Sequence, residues 1–246
     1  MTIWLRNFYF QGSIHGKLYA TFGVPSAGKT KLLVEIRNQF SQKCFCKTTS
    51  LLKKNGSPFT RYLQELFGHG DDRLSNKKFF KFQLESFAKR AEDAFYAANI
   101  VRHSPEISFS FIDETIYDSY AYANTLVNLR RQRSDDAEKD RWLSEDNFET
   151  FHQIFISLMQ YVPRPDAIIY LRCTNDKYIE KRHEQSKKTY KYENGYIPQL
   201  IIDFDIVAKE MEDEWEMKVI TVNIEGKEKD EIYKDVVSQL NLNELK

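Results

Sequence analysis

The 246-residue sequence has no surplus of charge: 36 Lys and Arg balance 36 Asp and Glu. General nucleic-acid binding usually leaves a basic excess, so no nucleic-acid partner is expected. No apolar run is long enough to cross a bilayer, which argues against a membrane partner. The N-terminus lacks the apolar core of a signal peptide. Cysteine is scarce. Cys44, Cys46 and Cys173 suggest neither a disulfide framework nor a four-ligand zinc site. Free thiols in a reducing compartment are expected, hence a cytoplasmic location. Internal repeats and low-complexity tracts are absent. No acidic residue stands between Glu35 and Glu65, an absence that bears on catalysis.

The length suits one sizeable core. Residues 1–16 read as an N-terminal arm or tag-like segment. Asn7-Phe8-Tyr9-Phe10-Gln11-Gly12-Ser13 is similar to a protease recognition sequence used with affinity tags, and it is set aside. Residues 17–246 read as a single domain.

The most informative run is Gly23-Val24-Pro25-Ser26-Ala27-Gly28-Lys29-Thr30. It fits G-x-x-x-x-G-K-[ST], a loop whose backbone N–H groups wrap a phosphate. The apolar Lys17–Phe22 precedes it and a helix-spaced pattern follows, as this loop requires. Gly23, Ser26, Ala27, Gly28, Lys29 and Thr30 are therefore expected to hold ATP. Lys29 would reach the β- and γ-phosphates and Thr30 would bind Mg²⁺.

Strands are expected at 17–22, 43–48, 107–112, 167–172 and 218–223. Helices are expected at 29–40, 58–67, 76–102, 118–132, 146–161, 175–188, 198–214 and 229–240. The alternation predicts an α/β fold with a five-stranded parallel sheet covered on both faces. Ligands in such sheets bind beyond the carboxyl ends of the strands. That places the phosphate loop, Thr48, Asp113 and the segment after Arg172 near one crevice. The charge-dense Arg130–Asn147 reads as a solvated loop or helix end.

Phe109-Ser110-Phe111-Ile112-Asp113-Glu114 is an apolar strand ending in two carboxylates. An acid there can hold Mg²⁺ or take a proton from the nucleophile. Its structural alternative is an acidic turn that caps the next helix.

These segments together resemble the deoxynucleoside kinase family of P-loop kinases, in scattered motifs over roughly residues 17–240. Phe79-Phe80-Lys81-Phe82-Gln83, with Arg90 seven residues on, is similar to the family's F-x-F-Q helix. The resemblance implies that Phe80 and Gln83 meet the nucleobase and that Arg90 lies near the reacting 5′ end. Asp113-Glu114-Thr115-Ile116-Tyr117-Asp118-Ser119 resembles E-R-S-x-Y-S-[DA], with Ser119 beside the substrate. It also resembles the D-R-[YH]-x-x-S-x-x-Y run of thymidylate kinases through Asp113, Ser119 and Tyr122. Pro165-Asp166-Ala167-Ile168-Ile169-Tyr170-Leu171-Arg172 resembles the P-D-x-I-x-Y-L-R strand. Glu193-Asn194-Gly195-Tyr196-Ile197-Pro198 resembles E-x-G-I-P with one residue inserted, which makes Glu193 the contact to the sugar 3′-hydroxyl. Trp215 falls on the family's tryptophan after its long helix. Between the last strand motif and Glu193 lies a helical lid, about 175–195. Its Lys181, Arg182, Lys187 and Lys188 would close over the triphosphate.

Two departures matter. The family's general base is a glutamate just after the second strand, where this chain has Thr48, whose hydroxyl is no base at neutral pH. Glu114 stands where the family has arginine. The base is therefore moved to Asp113 or Glu114, or it is absent. The resemblance implies ATP-dependent phosphorylation of a deoxynucleoside 5′-hydroxyl, with Lys29, Arg90, Asp113 and Glu114 catalytic, Thr30 and Asp113 on Mg²⁺, and a homodimer. Two alternatives stand beside it. One is a deoxynucleoside monophosphate kinase, which needs no base and would place Lys47 near an acceptor phosphate. The other is a catalytically impaired nucleotide-binding regulator.

Overall fold

The computed structural model describes residues 16–47, 76–140, 142–185, 192 and 195–242. Their elements run β1 (Lys17–Phe22), α1 (Lys29–Gln39), β2 (Cys44–Lys47), α2 (Asn76–His103), β3 (Phe109–Asp113), α3 (Ile116–Arg131), α4 (Asp136–Lys139), α5 (Glu145–Met159), β4 (Ala167–Arg172), α6 (Asp176–Gln185), α7 (Tyr196–Asp213), β5 (Val219–Asn223) and α8 (Lys229–Gln239). The helix expected at 58–67 lies outside the described residues.

All strand pairs are parallel, in the order β2-β3-β1-β4-β5. Burial follows that order. Every residue of central β3 is buried, whereas β5 at an edge alternates between covered and exposed positions, as a sheet packed on both faces in its middle requires. Helices α1 and α8 lie on one side; α2, α3 and α7 lie on the other, with α5 packed outside α2 and α3. The three-layer α/β arrangement expected from the sequence is borne out.

Chain direction makes the crevice. From β1 the chain leaves toward β2, and from β3 it leaves toward β4 on the opposite side. The carboxyl ends of β1 and β3 therefore flank a topological switch point, where ligands of such sheets sit. Thr21 near the end of β1 is paired with Asp113 at the end of β3.

Local chemistry explains several boundaries. Helix α3 starts at Ile116, two residues before the expected start, because Thr115 and Asp118 form a capping box. Ser144 caps α5 by accepting from the Asn147 amide. Gly195, at φ 84°, leads into α7. The segment Arg130–Asn147 is only partly a solvated loop. It contains α4, and Trp142 and Leu143 are buried. Trp142 stacks on both Phe79 and Tyr196, so two apolar anchors pin a stretch whose charge hid them.

Aromatic side chains fill much of the helical layer. Tyr120 stacks on Phe155 at 4.6 Å, and Trp215, just beyond α7, stacks on Tyr117 at 5.3 Å. Offset stacking of this kind adds about 0.5–1.5 kcal/mol per pair beyond burial.

Candidate active site

The loop between β1 and α1 holds three residues at positive φ: Gly23 at 142°, Ser26 at 67° and Gly28 at 105°. Gly23 has a second constraint, since a Cβ there would stand 2.8 Å from the Leu171 carbonyl oxygen of β4. Glycine lets the loop lie against its neighbouring strand. Gly28 caps α1, so the loop closes on a helix N-terminus with its orphan N–H groups and positive dipole end. Ala27 is buried, and the buried Ser26 Oγ has no hydrogen-bond partner among the described residues.

Lys29 is buried and folds back over the loop. Its ammonium donates to the carbonyls of Gly23 and Val24. Two carboxylates face it, Glu114 Oε1 at 3.7 Å and Asp118 Oδ1 at 3.8 Å. The next residue, Thr30, donates from its hydroxyl to Asp113 Oδ2 at 2.5 Å. Asp113 Oδ1 accepts from Thr21 at 3.4 Å. The hydroxyl and carboxylate expected to share a cation are thus adjacent, and they are the hard oxygen ligands that Mg²⁺ favours. Among the described residues no cluster of three or more His, Cys, Asp and Glu is arranged to hold a metal alone.

Glu114 has φ 75°, an uncommon backbone for a residue with a Cβ. This turn brings its carboxylate to Arg90 of α2, whose Nη2 donates to Oε2 at 2.6 Å. The other arm of Arg90, Nη1, donates to Ser119 Oγ at 2.5 Å, and the guanidinium lies over the Tyr122 ring. Lys29 from the loop and Arg90 from α2 therefore meet on one side chain.

Burial sets the proton affinities. Asp113 is raised above the ordinary carboxylate range by desolvation and by neighbouring Glu114, against the opposing pull of Lys29, Thr30 and Thr21. Asp118 is fully buried, and desolvation pushes it up to about 6 despite Lys29 and Arg90. Desolvation works against the Arg90 charge, but Glu114 and Asp118 more than offset it, so its already high pKa rises.

Gln83 lies seven residues before Arg90 on α2, about 10.5 Å along the axis and on nearly the same face. Its side chain is buried and Oε1 has no hydrogen-bond partner among the described residues. Leaving a buried amide oxygen unpaired costs about 1–3 kcal/mol, which is tolerable where a ligand supplies the donor. Phe80 is half-buried against the core.

On the loop's other flank is a shallow open groove, lined by Gly28, Lys31, Leu32, Arg182, Lys229 and Tyr233 among others. Arg182 of α6 is held by the Tyr178 hydroxyl, and its Nη2 lies 3.0 Å from where a Gly28 Cβ would stand. Lys181, beside it, is exposed. Thr48, Lys187, Lys188 and Glu193 lie outside the described residues. Lys47 pairs with Asp93 at 3.7 Å and lies over the Tyr96 ring. It stands at the carboxyl end of β2, the strand at one edge of the sheet.

Asp118 is the residue that sequence reasoning missed. One of its oxygens accepts from the Thr115 amide at 2.7 Å while the other faces Lys29. The Thr-x-x-Asp spacing after a strand was a readable capping signal, but nothing in it marked the second oxygen.

Fold and loop together define a phosphate-loop α/β protein with a cation–carboxylate cluster at its switch point. No family model matches the chain. It is similar to a deoxyguanosine kinase of Bacillus subtilis (strain 168), at 26% identity over 187 residues, covering 73% of this chain and 80% of that protein. A solved deoxyadenosine kinase from M. mycoides, with products dCMP and a flexible dCDP bound, superposes with TM-score 0.69 at 17% identity, covering 91% of this chain and 98% of that one. A thymidylate kinase from Candida albicans superposes with TM-score 0.59 at 16% identity, covering 93% and 92%. The similarity to deoxynucleoside kinases expected from the motifs is borne out.

Proposed function

We propose that this chain is an ATP-dependent kinase that phosphorylates the 5′-hydroxyl of a deoxynucleoside. The observation that carries the reading is the junction at Glu114, where the phosphate-loop lysine and the arginine of the Gln83 helix converge. Donor and acceptor chemistry thereby share one point of the crevice. The similarity to a deoxyguanosine kinase and to a deoxyadenosine kinase supports the substrate class.

The loop amides and Lys29 hold the triphosphate tail, and the nucleoside end of ATP lies in the groove beside Arg182 and Tyr233. Thr30 and Asp113 would hold Mg²⁺, which would offset charge on the transferring phosphoryl group. Gln83 reads the base edge and Phe80 walls it. In the reaction the 5′ oxygen forms a bond to the γ-phosphorus and the bond to the β–γ bridging oxygen breaks. ADP leaves, and the hydroxyl proton passes to the Glu114 carboxylate. Positioning and charge stabilisation supply most of the rate in such transfers, so a base that has moved from position 48 to position 114 suffices.

The test is a panel of deoxyguanosine, deoxyadenosine and deoxycytidine, each with its 5′-monophosphate, incubated with labelled ATP and Mg²⁺. Label is expected in nucleoside monophosphates with matching ADP release. Turnover of the monophosphates alone, or of nothing on the panel, rejects the reading.

A further inference from the structure

Resting on that reading, we propose that Glu114 is also the specificity-determining residue that restricts the acceptor to an uncharged 5′-hydroxyl and turns away an acceptor already carrying a 5′-phosphate. A phosphate in the acceptor position needs free cations with open donors. The crevice offers few among the described residues. Arg90, the cation on the face of α2 that carries Gln83, has one arm on Glu114 at 2.6 Å and the other on Ser119 at 2.5 Å. Lys29 is turned onto the loop carbonyls, with Glu114 and Asp118 beside it. Lys47, part-exposed, faces Asp93 at 3.7 Å and the Tyr96 ring. Among the described residues around the switch point, three carboxylates, Asp113, Glu114 and Asp118, face two cations, Lys29 and Arg90. In the absence of ATP and Mg²⁺, a dianionic acceptor would meet an excess of carboxylates over cations among these side chains, where like charges repel strongly because water screens little. A neutral hydroxyl meets no such barrier and finds a carboxylate acceptor for its proton.

The position is built for this. The left-handed backbone at Glu114 is uncommon for a side chain with a Cβ, and it aims the carboxylate between the two cations. In the kinase motif that the segment resembles, an arginine stands here. The exchange reverses the sign of the charge offered to the acceptor, which no loss of a neutral contact would do. It also makes the product, a 5′-monophosphate, a poor resident of the site, so the same residue hastens product release.

The test compares the wild type with E114Q by calorimetric titration of deoxyguanosine, deoxyadenosine and their 5′-monophosphates, without ATP. The turnover panel is run in parallel on the wild type. In the wild type the deoxynucleoside should bind more tightly than its monophosphate. In E114Q the monophosphate affinity should rise about tenfold or more, the effect of removing one nearby charge and releasing Arg90, while deoxynucleoside affinity changes by less than about threefold. E114N, whose side chain tolerates the left-handed backbone, gives the same comparison if E114Q does not fold. A wild type that phosphorylates deoxynucleosides, with a monophosphate-to-nucleoside affinity ratio unmoved in the variant, overturns the selectivity claim and leaves the kinase reading standing. A wild type that turns over only monophosphates overturns both.

Discussion

Asp118 shows how one carboxylate serves two ends. Oδ2 holds the first turn of α3 through the Thr115 amide and hydroxyl, while Oδ1 faces the ammonium of the phosphate loop. Its proton affinity is raised from the ordinary 3.8 to about 6, chiefly by burial. Between those values the folded chain binds more protons than the unfolded one. Stability therefore falls as pH rises through the window, and the full cost is present above about pH 6. The shift corresponds to about 3 kcal/mol as an upper figure. D118N keeps an oxygen for the Thr115 amide and carries no charge. Its stability relative to wild type is expected to climb from about pH 4 to about pH 6 and then level off, by up to ~3 kcal/mol. Urea denaturation of both proteins across that range reads the difference. A difference that is flat with pH would mean that Asp118 titrates as an ordinary surface carboxylate.

At the scale of elements, α3 and α7 are joined by a polar contact centred on the buried Asp203 as well as by apolar packing. Asp203 of α7 accepts from Asn128 at 2.8 Å and from Gln199 at 3.0 Å. Removing its carboxylate takes the shared acceptor away from two half-buried amide donors. D203A is expected to lower unfolding free energy by about 2 kcal/mol, shifting the urea midpoint with little change in slope. ATP affinity, set by a different group of side chains, should hold. The sequence disclosed elements better than such ties. All five strands were legible because their burial imposes apolar runs, and only their ends moved by a residue or two. β2 begins at Cys44 and β3 runs on to Asp113. The loop and Asp113 stood out through local spacing, and Gln83 through the family motif its segment resembles. The Glu114–Arg90 pair was not, since it joins residues 24 apart through a backbone turn that no periodicity encodes. The two roles of Asp118 merged into one capping pattern, and the charge around Trp142 disguised a buried segment.

For the whole molecule, strand order and the retracted lysine make one argument. The order β2-β3-β1-β4-β5 sets the loop and the β3 carboxylates on the two sides of a single switch point. In the free chain Lys29 answers those carboxylates, whereas in the proposed complex it turns to the triphosphate. Its charge thus serves stability first and binding second, and the two can be separated. K29M leaves Glu114 and Asp118 facing each other without their ammonium. A loss of about 2 kcal/mol is expected near neutral pH, shrinking in acid as Asp118 takes a proton. Adding D118N to K29M removes one of the stranded charges, so the double variant should recover half or more of that loss. Binding behaves otherwise. ATP with Mg²⁺ at about a hundred times its dissociation constant should stabilise the wild type by ~2.7 kcal/mol. D118N should show a comparable gain, and neither K29M nor the double variant should show any. Thermal unfolding of the four proteins with and without nucleotide makes the comparison. An ATP-dependent shift that survives in K29M would remove Lys29 from the triphosphate site. A double variant no more stable than K29M would mean that the lysine and Asp118 do not answer one another across the crevice.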